Sequence, residues 1–426
     1  MDRLKEQGRK AILPLVLIIS LFFLWALANT LNDVLIGHFK KAFVLNDFQV
    51  GLVQTAFYLG YFVFAMPAAF FMRSFGYKAG VVLGLILYGA GALLFYPASE
   101  ISEYAFFLGA LFVIASGLAF LETAANPLMT ALGNPETAER RLTFAQSFNS
   151  VGAVVGTLVG TRFIMTGVEY SAEQLAAMSE LERNAYYAAE AVASQGTYLT
   201  LAAIVLVWAV VVYLTPFPAV ATARATAEST AEQKGGVKRL LAHPHYTQGV
   251  VAQFFYVGAQ ASVWGFLIRY AQEAVPTMPE RMAGYHLTAS LVAFMIGRFA
   301  GTALMGKFNP EKLMGVFGIA NVVLCAIAIL VPGYVGLYAL VAASFFMSIM
   351  FPTIFATAIR GIGSLTKVGS SLLIMAIIGG AIFPPVVGAI SAASHIANGM
   401  IVPAVCFAFI AFYAFKSRPP AAVQAS

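Results

Sequence analysis

Runs of about twenty apolar residues, each long enough at 1.5 Å per residue to cross roughly 30 Å of hydrocarbon, recur along the whole of this 426-residue chain. Of its residues 60% are hydrophobic and only 10% charged, against about 25% charged in an average soluble domain. A protein core alone cannot use that much apolar surface, so the chain is solvated mostly by lipid. The runs place spans near 11–37, 48–72, 78–98, 104–131, 142–166, 197–216, 247–271, 284–306, 313–331, 334–360, 368–392 and 397–415. Pro67, Pro127, Pro352, Pro384 and Pro385 fall inside them, which is tolerated where neighbouring helices satisfy the freed backbone groups.

The basic residues carry topology. With the N-terminus inside, eighteen Lys and Arg side chains fall on the cytoplasmic side and four on the other: Lys40, Lys41, Arg183 and Arg281. The positive-inside rule therefore puts both termini in the cytoplasm. The net charge of +6 follows from these short loops and does not indicate a nucleic-acid partner. The start MDRLKEQGRK, followed by an apolar stretch and Ala26-Leu27-Ala28, has the outline of a signal peptide. The apolar stretch continues through Val34-Leu35-Ile36, however, so we read an uncleaved first span. Cys325 and Cys406 each lie in an apolar run, where the expectation is two buried small side chains and no disulfide. The segment 167–196 reads as an acidic external loop, with Glu169, Glu173, Glu180, Glu182 and Glu190.

One long polar stretch, 217–246, contains ATARATAESTAEQKGG and reads as a cytoplasmic linker. It divides the chain into six spans over 1–216 and six over 247–426. The halves look related: Phe22-Phe23 answers Phe254-Phe255, and the turn MRSFGYK (72–78) answers MGKFNPEK (305–312). Parallel repeats of six helices put a substrate site near the midplane between them.

An acidic side chain at the centre of a span costs on the order of 2.5–3.5 kcal/mol on insertion scales. Two carboxylates lie well inside apolar runs: Asp33 in WALANTLNDVL and Glu122 in GLAFLETAANP. Burial disfavours the ionised form, and a group so tuned can load a proton from one side and release it when the cavity opens to the other. The plainer alternatives are a permanently neutral Glu122 in a structural hydrogen bond and an Asp33 wetted by headgroup water. Asn29 lies one turn before Asp33 on the same face. Gln146 and Asn149 project from one face of the fifth span, and Gln253, Tyr256 and Gln260 form a stripe on the seventh. Amides offer both donor and acceptor, which suits the hydroxyls of a neutral polyol, and Trp25 and Trp264 offer flat apolar platforms. The competing reading of these amides is helix-to-helix bonding. Arg298 in IGRFAG reads as snorkelling or bracing a turn. The five histidines lie at span ends or loops without metal-ligand spacing, so no metal is expected.

The segments FFLWALANTLNDVL (22–35), QTAFYLGYF (54–62), LETAANP (121–127), AQSFNSVGA (145–153), YVGAQASVWGFLIRYA (256–271) and FPTIFA (351–356) resemble the fucose–proton symporter family of the major facilitator superfamily. LETAANP with a following AQxFNS is the specific part; GRFxG and the basic turn are common across the superfamily. The resemblance implies an all-α polytopic membrane protein of the major facilitator fold, with twelve transmembrane helices in two six-helix bundles. It implies a monomer in the bacterial inner membrane that imports a monosaccharide with protons, L-fucose before glucose, galactose or an amino sugar. It also implies that Asp33 and Glu122 couple proton to sugar movement and that Gln146 and Asn149 line the central cavity. Members that carry glucose and galactose tend to have Gln where Glu122 stands. Departures are His38, where fucose permeases tend to have Gln, and the 167–196 loop.

Other classes fit less well. A proton-driven exporter of hydrophobic compounds calls for an apolar cavity, whereas the fifth span offers Gln146 and Asn149. A membrane enzyme calls for a cluster of histidines and carboxylates, and a sugar sensor for a sizeable output domain. No nucleotide-binding loop is present, so the expectation is no cofactor, with an ion gradient as the energy source; sodium in place of the proton stays open.

Overall fold

The computed structural model describes residues 2–43, 47–101, 103–132, 134–164, 174, 177–223 and 236–416, and among them all regular structure is helical. The side chains of 2–12, 33, 34 and 36–42, including the candidate Asp33, lie outside the described residues, as do residues 224–235 of the linker. Eleven helices are long and apolar enough to cross a membrane. One of them contains two crossings, because Asp47–Leu93 is two spans joined at Gly76. Gly76 has φ 84°, a conformation that L side chains rarely adopt, and this turn reverses the chain within MRSFGYK.

The first span belongs to Asp2–Ala42, the fourth to Tyr104–Ala131, the fifth to Ala138–Phe163 and the sixth to Gln195–Leu214. The seventh, eighth and ninth are Pro244–Ala274, Glu280–Leu304 and Pro310–Leu330. The tenth is broken into Tyr334–Met347 and Met350–Ile359, the eleventh into Thr366–Met375 and Gly379–Ala393, and the twelfth is Ile401–Lys416. Each expected span coincides with one of these within several residues. The break in the tenth has a local cause: Pro352 has no N–H to offer the carbonyl four residues back, that of Ser348. Cys325 and Cys406 are free and buried.

The segment expected as a loop over 167–196 is only partly irregular. Glu180–Ala193 is a helix. Ser179 caps it, its Oγ accepting from the Glu182 N–H while the Glu182 carboxylate accepts from the Ser179 N–H at 2.9 Å, a capping box. The Ser179 hydroxyl also donates to the Glu182 carboxylate at 2.7 Å, and this bond, with the backbone one, holds the Glu182 carboxyl below the usual carboxylate range.

Helix crossings carry the internal repeat. A methyl group on Gly152 of the fifth span would overlap the carbonyl oxygen of Phe23 in the first. One on Gly379, where the eleventh span restarts, would overlap that of Phe254 in the seventh. Likewise Gly60 packs on Phe112 (second span on fourth) and Gly297 on Phe345 (eighth on tenth). The paired phenylalanines noted in the sequence thus mark equivalent crossings at which backbones touch, and only a missing Cβ permits that approach. We expect Gly152→Val and Gly379→Val each to destabilise the purified protein by at least about 1–3 kcal/mol, the range for overpacking, read as a lowered Tm. Gly109→Ala and Gly265→Ala are the controls, since a Cβ at either position meets nothing within 4 Å. Equal melting of all four variants would remove the argument.

Among the described residues, contacts join the two bundles at mid-bundle and at the linker end. Tyr58 lies against Gly380, and the Ser371 hydroxyl against the Met66 sulfur at 3.5 Å. Phe148 meets Phe299 at 6.5 Å. At the linker end Arg360 pairs with Glu139 of the first bundle and with Glu311 at 2.9 Å. There Lys367 also donates to the carbonyls of Met72 and Ala223, each at 3.0 Å. Met72 lies in the last turn before Gly76, where unpaired carbonyls and the helix dipole attract a cation.

Candidate functional site

The fourth span places Glu122 deep in the first bundle, 6% exposed. Its Oε1 accepts a long bond from the Tyr61 hydroxyl at 3.4 Å, and its Oε2 is sealed without a partner. One helical turn on, Asn126 donates Nδ2 to the Glu122 carbonyl at 3.0 Å and accepts at Oδ1 from Gln146 Nε2 at 3.1 Å. Asn149, three residues along the fifth span, donates to the Phe22 carbonyl at 3.3 Å. The close crossing at Gly152 brings that carbonyl within reach.

Arg298 overturns its expected role. It is 4% exposed and does not snorkel toward the membrane surface. Its Nη1 donates to the Gln146 carbonyl and, at 3.1 Å, to Asn149 Oδ1; its Nε donates to the Ser348 carbonyl at 3.2 Å. That last acceptor is the carbonyl Pro352 leaves unfilled. The guanidinium also sits over the Phe294 ring at 4.5 Å. The planar fork offers Nη1 to the first bundle and Nε to the second, from separate nitrogens, where an ammonium presents all its donors from one atom. Through the Gln146–Asn126 bond and the Asn126 bond to the Glu122 backbone carbonyl, these groups form one enclosed polar cluster between the bundles.

The other candidates are distributed unevenly around that cluster. Asn29 faces the Tyr61 hydroxyl, with its Oδ1 buried and unpartnered. Trp264 donates to Ser344 Oγ at 3.1 Å and packs edge-on against Phe294 at 5.0 Å, so it stands behind the Arg298 platform. Ser344 in turn is bonded to Ser290. Tyr256 is sealed, its hydroxyl unpartnered. Gln253, 0% exposed with neither amide atom bonded, is out of a ligand's reach in this conformation. Gln260 is half-buried. Trp25 is buried and packs against Phe22 at 4.3 Å.

Tyr61, Asn126 and Phe294 were absent from the sequence-based candidates. Asn126 had a signal, since it follows Glu122 by one turn within LETAANP. Tyr61 had a weak one in QTAFYLGYF. An arginine inside a span is a functional candidate by default, and reading Arg298 as a span-end residue discounted that signal.

Among the described residues, twelve crossings in two bundles around an enclosed polar cluster define a secondary transporter of the major facilitator type. The Major Facilitator Superfamily model matches residues 16–376. The chain is 44% identical over 420 residues to the L-fucose-proton symporter of Escherichia coli (strain K12), covering 98% of this chain and 96% of that one. It is 37% identical over 394 residues, 92% and 91% of the two chains, to the glucose/galactose transporter of Brucella abortus biovar 1 (strain 9-941). The crystal structure of the transporter FucP in the outward conformation is similar, with a TM-score of 0.88 and 44% identity over 96% of this chain and 100% of that one. The chain belongs to the fucose–proton symporter family of the Major Facilitator Superfamily.

Proposed function

We propose that this protein imports L-fucose with protons, as a monomer in the bacterial inner membrane with both termini cytoplasmic, and that it uses the proton gradient and no cofactor. The observation that carries the reading is the enclosed carboxyl of Glu122 beside Asn126, which bonds the Glu122 backbone carbonyl and Gln146, with Asn149 and Arg298 completing the polar face. Proton loading and sugar binding then occur on neighbouring groups of one enclosed polar cluster. Glu122 is the proton carrier in this reading, and Asp33, one turn beyond Asn29, is the second. Gln146, Asn149 and Arg298 bind sugar hydroxyls, with the Trp264–Phe294 pair behind them.

With 1–216 and 247–426 as the two moving bodies and 217–246 as their cytoplasmic connection, a conformer closed at the linker end faces outward. The similarity to the outward conformation of FucP supports this assignment. Lys367 is one latch of that closed face. Replacing it with Met removes two charge-assisted bonds of the order of 1.5–3 kcal/mol each. The expected result is a shift toward the inward-open state, read as severalfold faster alkylation of a cysteine placed in the linker-side mouth after Cys325 and Cys406 are replaced. Unchanged alkylation would exclude the latch.

Uptake of labelled L-fucose into transporter-deficient cells or proteoliposomes, with and without an inward proton gradient, tests the whole reading. Accumulation that collapses with an uncoupler supports substrate and coupling together. The relative that transports glucose and galactose favours a second reading. If those sugars accumulate and fucose does not, the fold and coupling stand and the sugar assignment falls. Accumulation that follows sodium and ignores the proton gradient would remove the proton.

A further inference from the structure

The bonds around Glu122 fix more than position. An amide side chain presents either its oxygen or its nitrogen, and the choice is set by what its other end must do. The backbone carbonyl of Glu122 can only accept. Asn126, bonded to it at 3.0 Å, must therefore turn Nδ2 toward it and Oδ1 away. Oδ1 can also only accept, so Gln146, at 3.1 Å, must offer it Nε2. What remains of Gln146 is Oε1, which makes no hydrogen bond among the described residues and, unlike both amide atoms of Gln253, is not fully sealed, on a side chain that is 2% exposed. Asn126 is itself wholly buried, which leaves no water to substitute for either bond.

Two donor groups of the same cluster keep hydrogen-bonding capacity. Asn149 uses Oδ1 on Arg298 and one N–H on Phe22, which leaves its second N–H. Arg298 Nη2 makes no bond within the protein. We propose that Asn126 is a positioning residue that turns Gln146 so that its Oε1 faces the sugar, making this point of the site an obligatory acceptor for one sugar hydroxyl. The inference rests on the sugar-transport reading above. It adds a rule about ligand chemistry: at one hydroxyl the sugar must donate, while at positions facing Asn149 and Arg298 it must accept.

Competition by monodeoxy and deoxyfluoro analogues of L-fucose against labelled L-fucose, on purified native protein, tests the rule. Fluorine accepts weakly and cannot donate. At one position the deoxy and fluoro analogues should therefore lose affinity alike, by about tenfold for a missing hydrogen bond that strands a buried acceptor. In Asn126→Leu, Gln146 is free to present Nε2, and at that same position the fluoro analogue should compete severalfold better than the deoxy one. Asn126→Ser is the second variant. Its hydroxyl can bond the carbonyl four residues back, as Thr123 does to Ala119 and Ser116 to Phe112, but it is too short to reach Gln146. It should relax the preference in the same way. Fluorine tolerated wherever deoxygenation weakens binding, or a native pattern unchanged in both variants, would overturn the proposal. Failure of native protein to bind any sugar is a different result and overturns the transport reading instead.

Discussion

Glu122→Gln should exchange labelled sugar across the membrane but fail to concentrate it. Each proton carried down a gradient of one pH unit supplies about 1.4 kcal/mol, enough for roughly tenfold accumulation at one proton per sugar. The variant should hold a ratio of about one at every gradient. The geometry gives the reason for the split. Gln keeps the size of Glu122 and can still accept from Tyr61, and the Glu122 backbone carbonyl that anchors Asn126 is untouched by the change. The sugar-facing amides should therefore survive, and only the exchangeable proton is lost. Counterflow measured beside gradient-driven uptake separates the two. A variant that accumulates like the native protein would take the proton role away from Glu122.

Arg298→Met should lower transport about a hundredfold or more. The substitution fills similar space but strands two acceptors, the Ser348 carbonyl and Asn149 Oδ1, and takes the second bond from the Gln146 carbonyl, which keeps its helical one. A stranded buried acceptor costs about 1–3 kcal/mol, and about 2.7 kcal/mol already corresponds to a hundredfold. Arg298→Lys should fail nearly as badly, because donors on a single nitrogen do not reproduce contacts made separately by Nη1 and Nε. Uptake rate and Tm of the purified variants check this together. A stable Arg298→Met protein with at least half the native rate would reduce the residue to packing.

The two results would differ in kind because the residues are differently placed. Glu122 is joined only to groups of its own bundle by hydrogen bonds, whereas Arg298 bridges the bundles. That difference was invisible in the sequence, where both were charges inside apolar runs. Span-length apolar runs forced helices, because hydrocarbon offers backbone groups no other partner, and those helices stand where the runs placed them. The cost of a carboxyl in lipid singled out Glu122 for the same reason.

The failures share one cause, that a side chain's partners lie on other helices. Arg298 six residues from a helix end reads as a snorkelling group, until the kink before Pro352 supplies a free carbonyl on the tenth span and the fifth span brings Asn149 beside it. Gln253, Tyr256 and Gln260 share one stripe on the seventh span, yet the bundle seals the first two. Periodicity tells which residues share a face and not what that face meets. The sequence by itself determined the helices, their number and order, the two-part repeat and the cost of each buried charge, all of which follow from local transfer energies. Only the tertiary structure decided which polar atoms meet, and so that Glu122, Asn126, Gln146, Asn149 and Arg298 form one connected set, because hydrogen bonds depend on approaches of about 3 Å that helix crossings set.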